Sequence, residues 1–352
     1  MSKKLKKVCI FGHYGNGLNL LNGQTVKTKI LTDELENVFG RDEVMKIDTH
    51  GGIKTLIKSP IHAFSALKKS SNVAILPAHN GLRVYAPLLW FLRGFFKGRK
   101  LHYIVIGGWL PEFLKKRRFL RKCLLKFDGI YVETNTMKEA LLKDGFKNII
   151  VLPNCKKLSI LTPEELVYHD KEPYPLCTFS RVMKEKGIED AVNAVKNINE
   201  KFGRTVYTLD IYGQVDSGQI EWFEELKSNF PEYITYGGLV PFDKSTEVLK
   251  KYFALLFPTY YEGEGFAGTL IDAFAAGVPV IASDWKYNSE IVNDNVGFLY
   301  EVGNQIALCD ILELQAKNNA MINKKKHLCL EEVEKYEINK VVQILVKQLR
   351  EY

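Results

Sequence analysis

The sequence lacks the features that mark membrane, disulfide-stapled and fibrous chains. No run of about 18 apolar residues occurs, so no membrane-spanning helix is expected. The basic start Met1-Ser2-Lys3-Lys4 is followed by an apolar stretch of only Val8 to Phe11, with no small-residue cleavage site, and an intracellular chain is expected. The 6 cysteines (Cys9, Cys123, Cys155, Cys177, Cys309, Cys329) are widely spaced, with no C-x-x-C and no Cys/His pair at zinc-ligand spacing. They read as reduced thiols rather than a disulfide framework. There is no low-complexity tract and no repeat at solenoid periods.

What is present is globular. The 352 residues are 46% hydrophobic and 26% charged, and that length exceeds what one hydrophobic core serves, so two domains are expected. The net charge of +8 hides an asymmetry: residues 1–168 carry 29 Lys+Arg against 13 Asp+Glu, and residues 169–352 carry 20 against 28. A strongly basic half suits an anionic surface or partner.

Short apolar runs rich in β-branched residues recur at helix-length intervals. They are Val8 to Phe11, Val73 to Leu76, Tyr103 to Ile106, Ile130 to Val132 and Ile149 to Leu152. After a polar stretch at His169 to Pro173 they resume at Leu176 to Phe179, Thr208 to Tyr212, Tyr233 to Tyr236, Ala254 to Phe257, Val280 to Ala282 and Val296 to Tyr300. Continuous apolar strands alternating with helices predict α/β architecture with parallel sheets covered on both faces. Two such series predict two doubly wound domains, 1–168 and 169–334. Apolar residues at helical spacing from Leu330 predict one amphipathic helix running to Tyr352.

In such folds ligands lie on loops at the carboxyl ends of strands. Four loops stand out. Gly12-His13-Tyr14-Gly15-Asn16-Gly17 follows the first strand, but Leu18-Asn19 replaces the Lys-Ser/Thr of a P-loop and position 20 lacks the third dinucleotide glycine. It is either an anion-approaching turn or simply a tight connection. Ser180-Arg181-Val182-Met183-Lys184-Glu185-Lys186-Gly187 places two cations where a helix opens, a pattern that suits a diphosphate. Glu262-Gly263-Glu264-Gly265-Phe266-Ala267-Gly268-Thr269 leads from a strand into a helix carrying Asp272. Its two carboxylates, acceptor-only groups eight residues apart, can take hydrogen bonds from the hydroxyls of one extended ligand. Gly107-Gly108-Trp109 follows a strand of the first half, near His79 in Pro77-Ala78-His79.

The segment Glu264 to Asp272 resembles the E-x7-E region of the retaining family-4 glycosyltransferases of GT-B fold. Arg181 and Lys186, Gly213, Pro153-Asn154 and the terminal stretch from Tyr336 occur in that family's order. The resemblance implies two Rossmann-like domains facing a central cleft, with residues 335–352 packing back on the first. It implies that Glu264 binds donor-sugar hydroxyls with the N–H groups of Gly265, Phe266, Ala267 and Gly268, Thr269 also adjoining the donor. Asp272, shorter than the usual Glu, would hold the ribose, and Arg181 and Lys186 the diphosphate. Gly15, Asn16, Gly17 and Gly213 would adjoin the donor, and Gly237, Leu239 and Val240 the base. His79 is the candidate for the catalytic group that the family's usual histidine supplies, a structural hydrogen-bonding role being the alternative, and Gly108 and Trp109 would meet the acceptor.

The expected activity is retaining transfer of a hexose-type sugar from a nucleotide diphosphate donor, UDP preferred, to a saccharide hydroxyl. No D-x-D pair occurs, so no metal and no cofactor is expected, the diphosphate being neutralised by side chains. Leu114 to Phe127 and Trp90 to Lys100 alternate cations with large apolar residues, the first on an expected helix. They point to an anionic membrane surface and a lipid-linked acceptor, with peripheral placement at the inner face of the cytoplasmic membrane. No nucleic-acid motif accompanies the charge. Surface polysaccharide assembly (capsule, O-antigen or exopolysaccharide) is the implied setting. An epimerase or phosphorylase of the same fold, or a non-catalytic nucleotide-sugar-binding protein, remains an alternative.

Overall fold

The structure, a computed structural model, describes residues 4–15, 17–18 and 23–350. The chain forms two compact units: residues 1–157 with Tyr336–Tyr352, and Leu158–Lys335. Residues 158–168, assigned above to the first half, belong with the second. Leu161 N–H donates to Ala275 O, and Leu166 packs against Gly277, so this stretch is anchored there by backbone and core contacts. By these boundaries the first unit carries 32 Lys+Arg against 13 Asp+Glu, net +19, and the second 17 against 28, net −11.

The sheet of the first unit comprises β1 (Lys6–Gly12), β2 (Val44–Asp48), β3 (Ser70–Ile75), β4 (Lys100–Ile104), β5 (Gly129–Val132) and β6 (Ile149–Val151), all parallel, in the order 2-1-3-4-5-6. The sequence pattern misses β2. As an edge strand it alternates buried Val44 and Ile47 with exposed Lys46, so it never forms a continuous apolar run.

The second sheet comprises β7 (Tyr174–Phe179), β8 (Tyr207–Tyr212), β9 (Ile234–Gly238), β10 (Ala254–Phe257), β11 (Val280–Asp284) and β12 (Gly297–Glu301), also parallel, in the order 12-11-10-7-8-9. This is the doubly wound order, reversing between β7 and β10.

The expected single helix from Leu330 is broken. Helix Ala320–Val333 ends in a 3-10 turn, Glu334–Tyr336, and a second helix runs Ile338–Arg350. The break separates two jobs: the earlier helix packs in the second unit, the later one in the first. Val341, Val342, Leu345, Val346 and Leu349 repeat at helical spacing and are buried against Val8, Ile10, Leu31 and Leu35. Each such side chain contributes roughly 1.5–3 kcal/mol by leaving water.

The expected helix over Leu114 to Phe127 is likewise two, Leu110–Lys115 and Arg118–Leu124. The break falls at Lys116 and Arg117, where the Arg117 guanidinium turns back to donate to Phe113 O and covers the Phe113 ring.

Asn72 fastens the terminal helix to the sheet. Its amide lies 2.9 Å from Lys7 O and 3.2 Å from Leu349 O, and its Oδ1 accepts from His102 Nε2 at 3.0 Å. His102 Nδ1 then accepts from the Tyr131 hydroxyl, and burial lowers the imidazole pKa from 6.5 to about 4. The unfolded chain binds this proton near the ordinary value, so the stability is complete above that value. It is lost as pH falls from 6.5 towards 4, by up to about 3 kcal/mol. Denaturant titrations of wild type and His102→Gln at pH 7 and pH 4.5 check this: the variant should lose less on acidification.

Candidate functional site

In the second unit, the loops after β7, β8, β9 and β10 lie side by side at the carboxyl ends of neighbouring strands, around the point where strand order reverses. Open α/β sheets place ligands at such a point. The loop after β7 carries Arg181, a 3-10 turn Lys184–Lys186 and Gly187, whose φ of 69° opens helix Ile188–Phe202. A Cβ on Gly187 would lie 2.1 Å from Pro258 O, and one on Gly213 would lie 1.8 Å from Ser180 O. Both glycines therefore let adjacent loops touch backbone to backbone.

That contact lets Lys186 reach Glu264 across 78 residues of sequence. Their side chains form a close ion pair, only 12% and 8% exposed. The Thr259 hydroxyl lies 2.9 Å from the same carboxylate, and Tyr260 N–H donates to Glu185 O at 2.8 Å, tying the two loops. The Lys186 ammonium also lies 5.0 Å from the Tyr261 ring centre. The result is a part-buried cation paired with a buried anion at a sheet end, able to meet a phosphate and a hydroxyl respectively.

Arg181 belongs to the same loop but is exposed, 3.5 Å from Asp216. Gly265 and Phe266 are buried beside Glu264, and Ala267 precedes helix Gly268–Ala275, whose first turn has no side-chain cap. Thr269 Oγ1 is buried without a hydrogen-bond partner, and Asp272 is buried one turn further on. Leu239 and Val240 follow β9, Leu239 being exposed. Gly237 lies within β9, where the Tyr212 ring fills the space of a side chain, so packing against Tyr212 accounts for it.

The first unit has its own reversal, between β1 and β3, and a pocket of about 310 Å³ opens there, lined in part by His13, Gln24, Thr49, Pro77 and His79. Gly15 and Gly17 have φ of 84° and 81°, and Leu18 N–H closes a turn on Gly15 O; Asn16 lies outside the described residues. His79 is the first residue of helix His79–Arg93, and its ring lies over Trp109 at 4.0 Å. One face of that indole is thus already covered, and its N–H is given to Ile106 O. Burial, helped by Arg117, holds the His79 pKa below the ordinary imidazole value.

Sequence reasoning missed three arrangements here. His13 Nε2 lies 2.9 Å from His50 Nδ1, while His13 Nδ1 lies 2.7 Å from Thr25 Oγ1. Burial first, then the His50 charge, lowers the His13 pKa. Lys27 and Glu133 form a buried pair at 2.5 Å, and the other Glu133 oxygen accepts from Gly107 N–H, holding the loop that carries Gly108 and Trp109. Thr259 completes the second-unit site. His13 and Thr259 each had a signal, a place two residues after a predicted strand. Among the described residues no three His, Cys, Asp or Glu side chains gather as a metal site, and no helix is long and apolar enough to cross a membrane.

Comparison with a solved structure decides the fold. The protein HepE (Alr3699) of Anabaena, solved with UDP, superposes with a TM-score of 0.75 at 13% identity, over 99% of this chain and 100% of that one. The fold is GT-B. Within it, residues 174–316 match the family model described as Glycosyl transferases group 1, and they contain the second-unit site residues Arg181, Lys186, Thr259, Glu264 and Asp272. The pneumococcal O-GlcNAc transferase GtfA, solved with UDP and GlcNAc, shares the GT-B fold at a TM-score of 0.63 and 18% identity, over 82% of this chain and 58% of that one. A curated relative from Streptococcus agalactiae is named UDP-N-acetylglucosamine--peptide N-acetylglucosaminyltransferase GtfA subunit. It is 27% identical over 173 residues, 48% of this chain and 32% of its own. The chain spans about a third of the length of the curated relatives it matches.

Proposed function

We propose that this chain is a retaining glycosyltransferase that moves a hexose-type sugar from a UDP-sugar to a saccharide hydroxyl. The observation that carries the reading is the part-buried Lys186–Glu264 pair, with Thr259, at the strand-order reversal of the unit that matches the group 1 family. Lys186 would turn towards the diphosphate, with Arg181 adding a second cation, and Glu264 would accept from sugar hydroxyls. Asp272 would reach the ribose. The bond from the anomeric carbon to the diphosphate oxygen breaks through an oxocarbenium-like state, and the acceptor oxygen bonds on the same face. The acceptor proton leaves with the diphosphate. Positioning and charge stabilisation supply the rate.

UDP is favoured as the nucleotide because HepE and GtfA were each solved with it, and the names of the GtfA relatives make UDP-N-acetylglucosamine the first donor to test. The net +19 of the first unit and its exposed aromatics support a lipid-linked acceptor at the inner face of a membrane, in surface polysaccharide assembly.

The test is a thermal-shift panel of UDP, GDP and ADP followed by transfer assays. UDP at about 100 times its Kd should stabilise the protein by about 2.7 kcal/mol. Absence of any UDP effect at millimolar concentration sinks the reading. Incubation with donor alone should leave the sugar unchanged, since isomerised sugar would mean an epimerase. Transfer should also persist in excess EDTA; loss of activity restored by added magnesium or manganese would overturn metal independence.

A further inference from the structure

The first unit has a second pocket, of about 450 Å³, unrelated to the sheet ends. Arg83 and Pro87 of helix His79–Arg93 form one wall, and Lys116 to Leu120 the other. Four cations line it (Arg83, Lys116, Arg117 and Arg118) and no carboxylate does. The nearby Glu112 is paired with Lys115, and Arg117 is fastened to Phe113. The side chains of Arg83, Lys116 and Arg118 have no hydrogen bond or ion pair among the described residues. Three unpaired cations around one concavity repel one another, a cost that a multiply charged anion reverses.

The rim is apolar. Trp90 lies two helical turns from Arg83 on the same face, and its ring meets Phe119 edge-on at 6.4 Å. Phe119, Phe91 and Phe95 are 62%, 63% and 73% exposed. Large exposed aromatics beside a cationic hollow match a lipid interface, where the rings enter the headgroup boundary and the cations meet phosphate.

We propose that this pocket binds the terminal phosphate of a membrane lipid, with Arg83 and Arg118 as forked donors and Phe119 and Trp90 seated in the interface. The site deepens the membrane-facing part of the function proposed above and rests on it. A phosphomonoester is the preferred chemistry, because its open oxygens accept two-pronged contacts from several guanidinium groups at once. A phosphodiester headgroup shields those oxygens.

The experiment compares binding of the full chain to phosphatidylcholine vesicles doped with phosphatidic acid or with phosphatidylglycerol, matched in surface potential. Matching cancels general attraction and leaves the ratio as the readout. Wild type should bind the phosphatidic acid vesicles about tenfold more tightly, the equivalent of roughly 1.4 kcal/mol. R83Q/R118Q should bring the ratio to about one. K138Q/K143Q, on a different basic helix, should weaken binding to both vesicles and keep the ratio.

A wild-type ratio near one, or a preference that survives R83Q/R118Q, overturns the proposal. So does stabilisation of wild type by millimolar inorganic phosphate with no vesicle preference, which would make the pocket a site for soluble phosphate. A UDP thermal shift in R83Q/R118Q equal to that of wild type verifies the fold. Loss of UDP binding in wild type would instead strike the donor-site reading and leave the vesicle ratio intact.

Discussion

Lys186→Ala is expected to lower the rate of transfer from a UDP-sugar by about 10²–10³-fold, the effect of removing one preorganised charge-stabilising group. The ammonium is part-buried and paired with the Glu264 carboxylate, which also meets the Thr259 hydroxyl, so a cation is stationed at the site before any substrate arrives. Its loss also leaves the Glu264 carboxylate without its cation, and some destabilisation should accompany the kinetic effect. Glu264→Gln separates the two contributions: it keeps the side chain's shape and Thr259's hydrogen-bond partner while removing the charge. The alanine variant should show its defect chiefly in kcat, with UDP binding weakened in the thermal-shift assay. Transfer within tenfold of wild type in Lys186→Ala, with the fold intact, would remove the ion pair from the mechanism.

Glu133→Ala should destabilise the first unit by about 3–5 kcal/mol, because it strands the Lys27 ammonium in the interior. The two side chains are 5% and 3% exposed, and no water-facing route relieves the uncompensated charge. Replacing the pair together, Lys27→Met with Glu133→Leu, should recover most of that loss, since well-packed apolar residues substitute for buried ion pairs. Urea unfolding of the three variants measures both effects. Recovery of stability need not restore activity, because Glu133 also accepts from Gly107 N–H and so places the Gly108-Trp109 loop. A single mutant losing under 1 kcal/mol would show that the pair is dispensable to the fold.

The two halves of the protein were legible to different degrees. Strands buried on both faces, such as Ala254–Phe257 and the stretch Val280 to Ala282, announce themselves as unbroken apolar runs. Val44–Asp48 does not, because an edge strand answers to water on one side. The continuous helix expected over Leu114 to Phe127 is interrupted at Lys116 and Arg117, where the Arg117 guanidinium returns to Phe113 O, a detail that periodicity does not display. The Trp90 to Lys100 cluster similarly spans the end of a helix at Arg93 and the turn beyond it.

Local sequence determined the alternation of strands and helices, the charge contrast between the halves, and the spacing of Arg181, Lys186, Glu264 and Asp272 on strand-end loops. Those depend on periodicity and near-neighbour chemistry, which a linear chain displays directly. Tertiary structure alone decided that Lys186 pairs with Glu264, that Lys27 meets Glu133 across 106 residues, that His13 bonds His50, and that Arg83 shares a pocket with Arg118. Each joins side chains from separate loops or helices. Which of them meet depends on strand order and on glycines, such as Gly187 and Gly213, that let the loops close to contact distance.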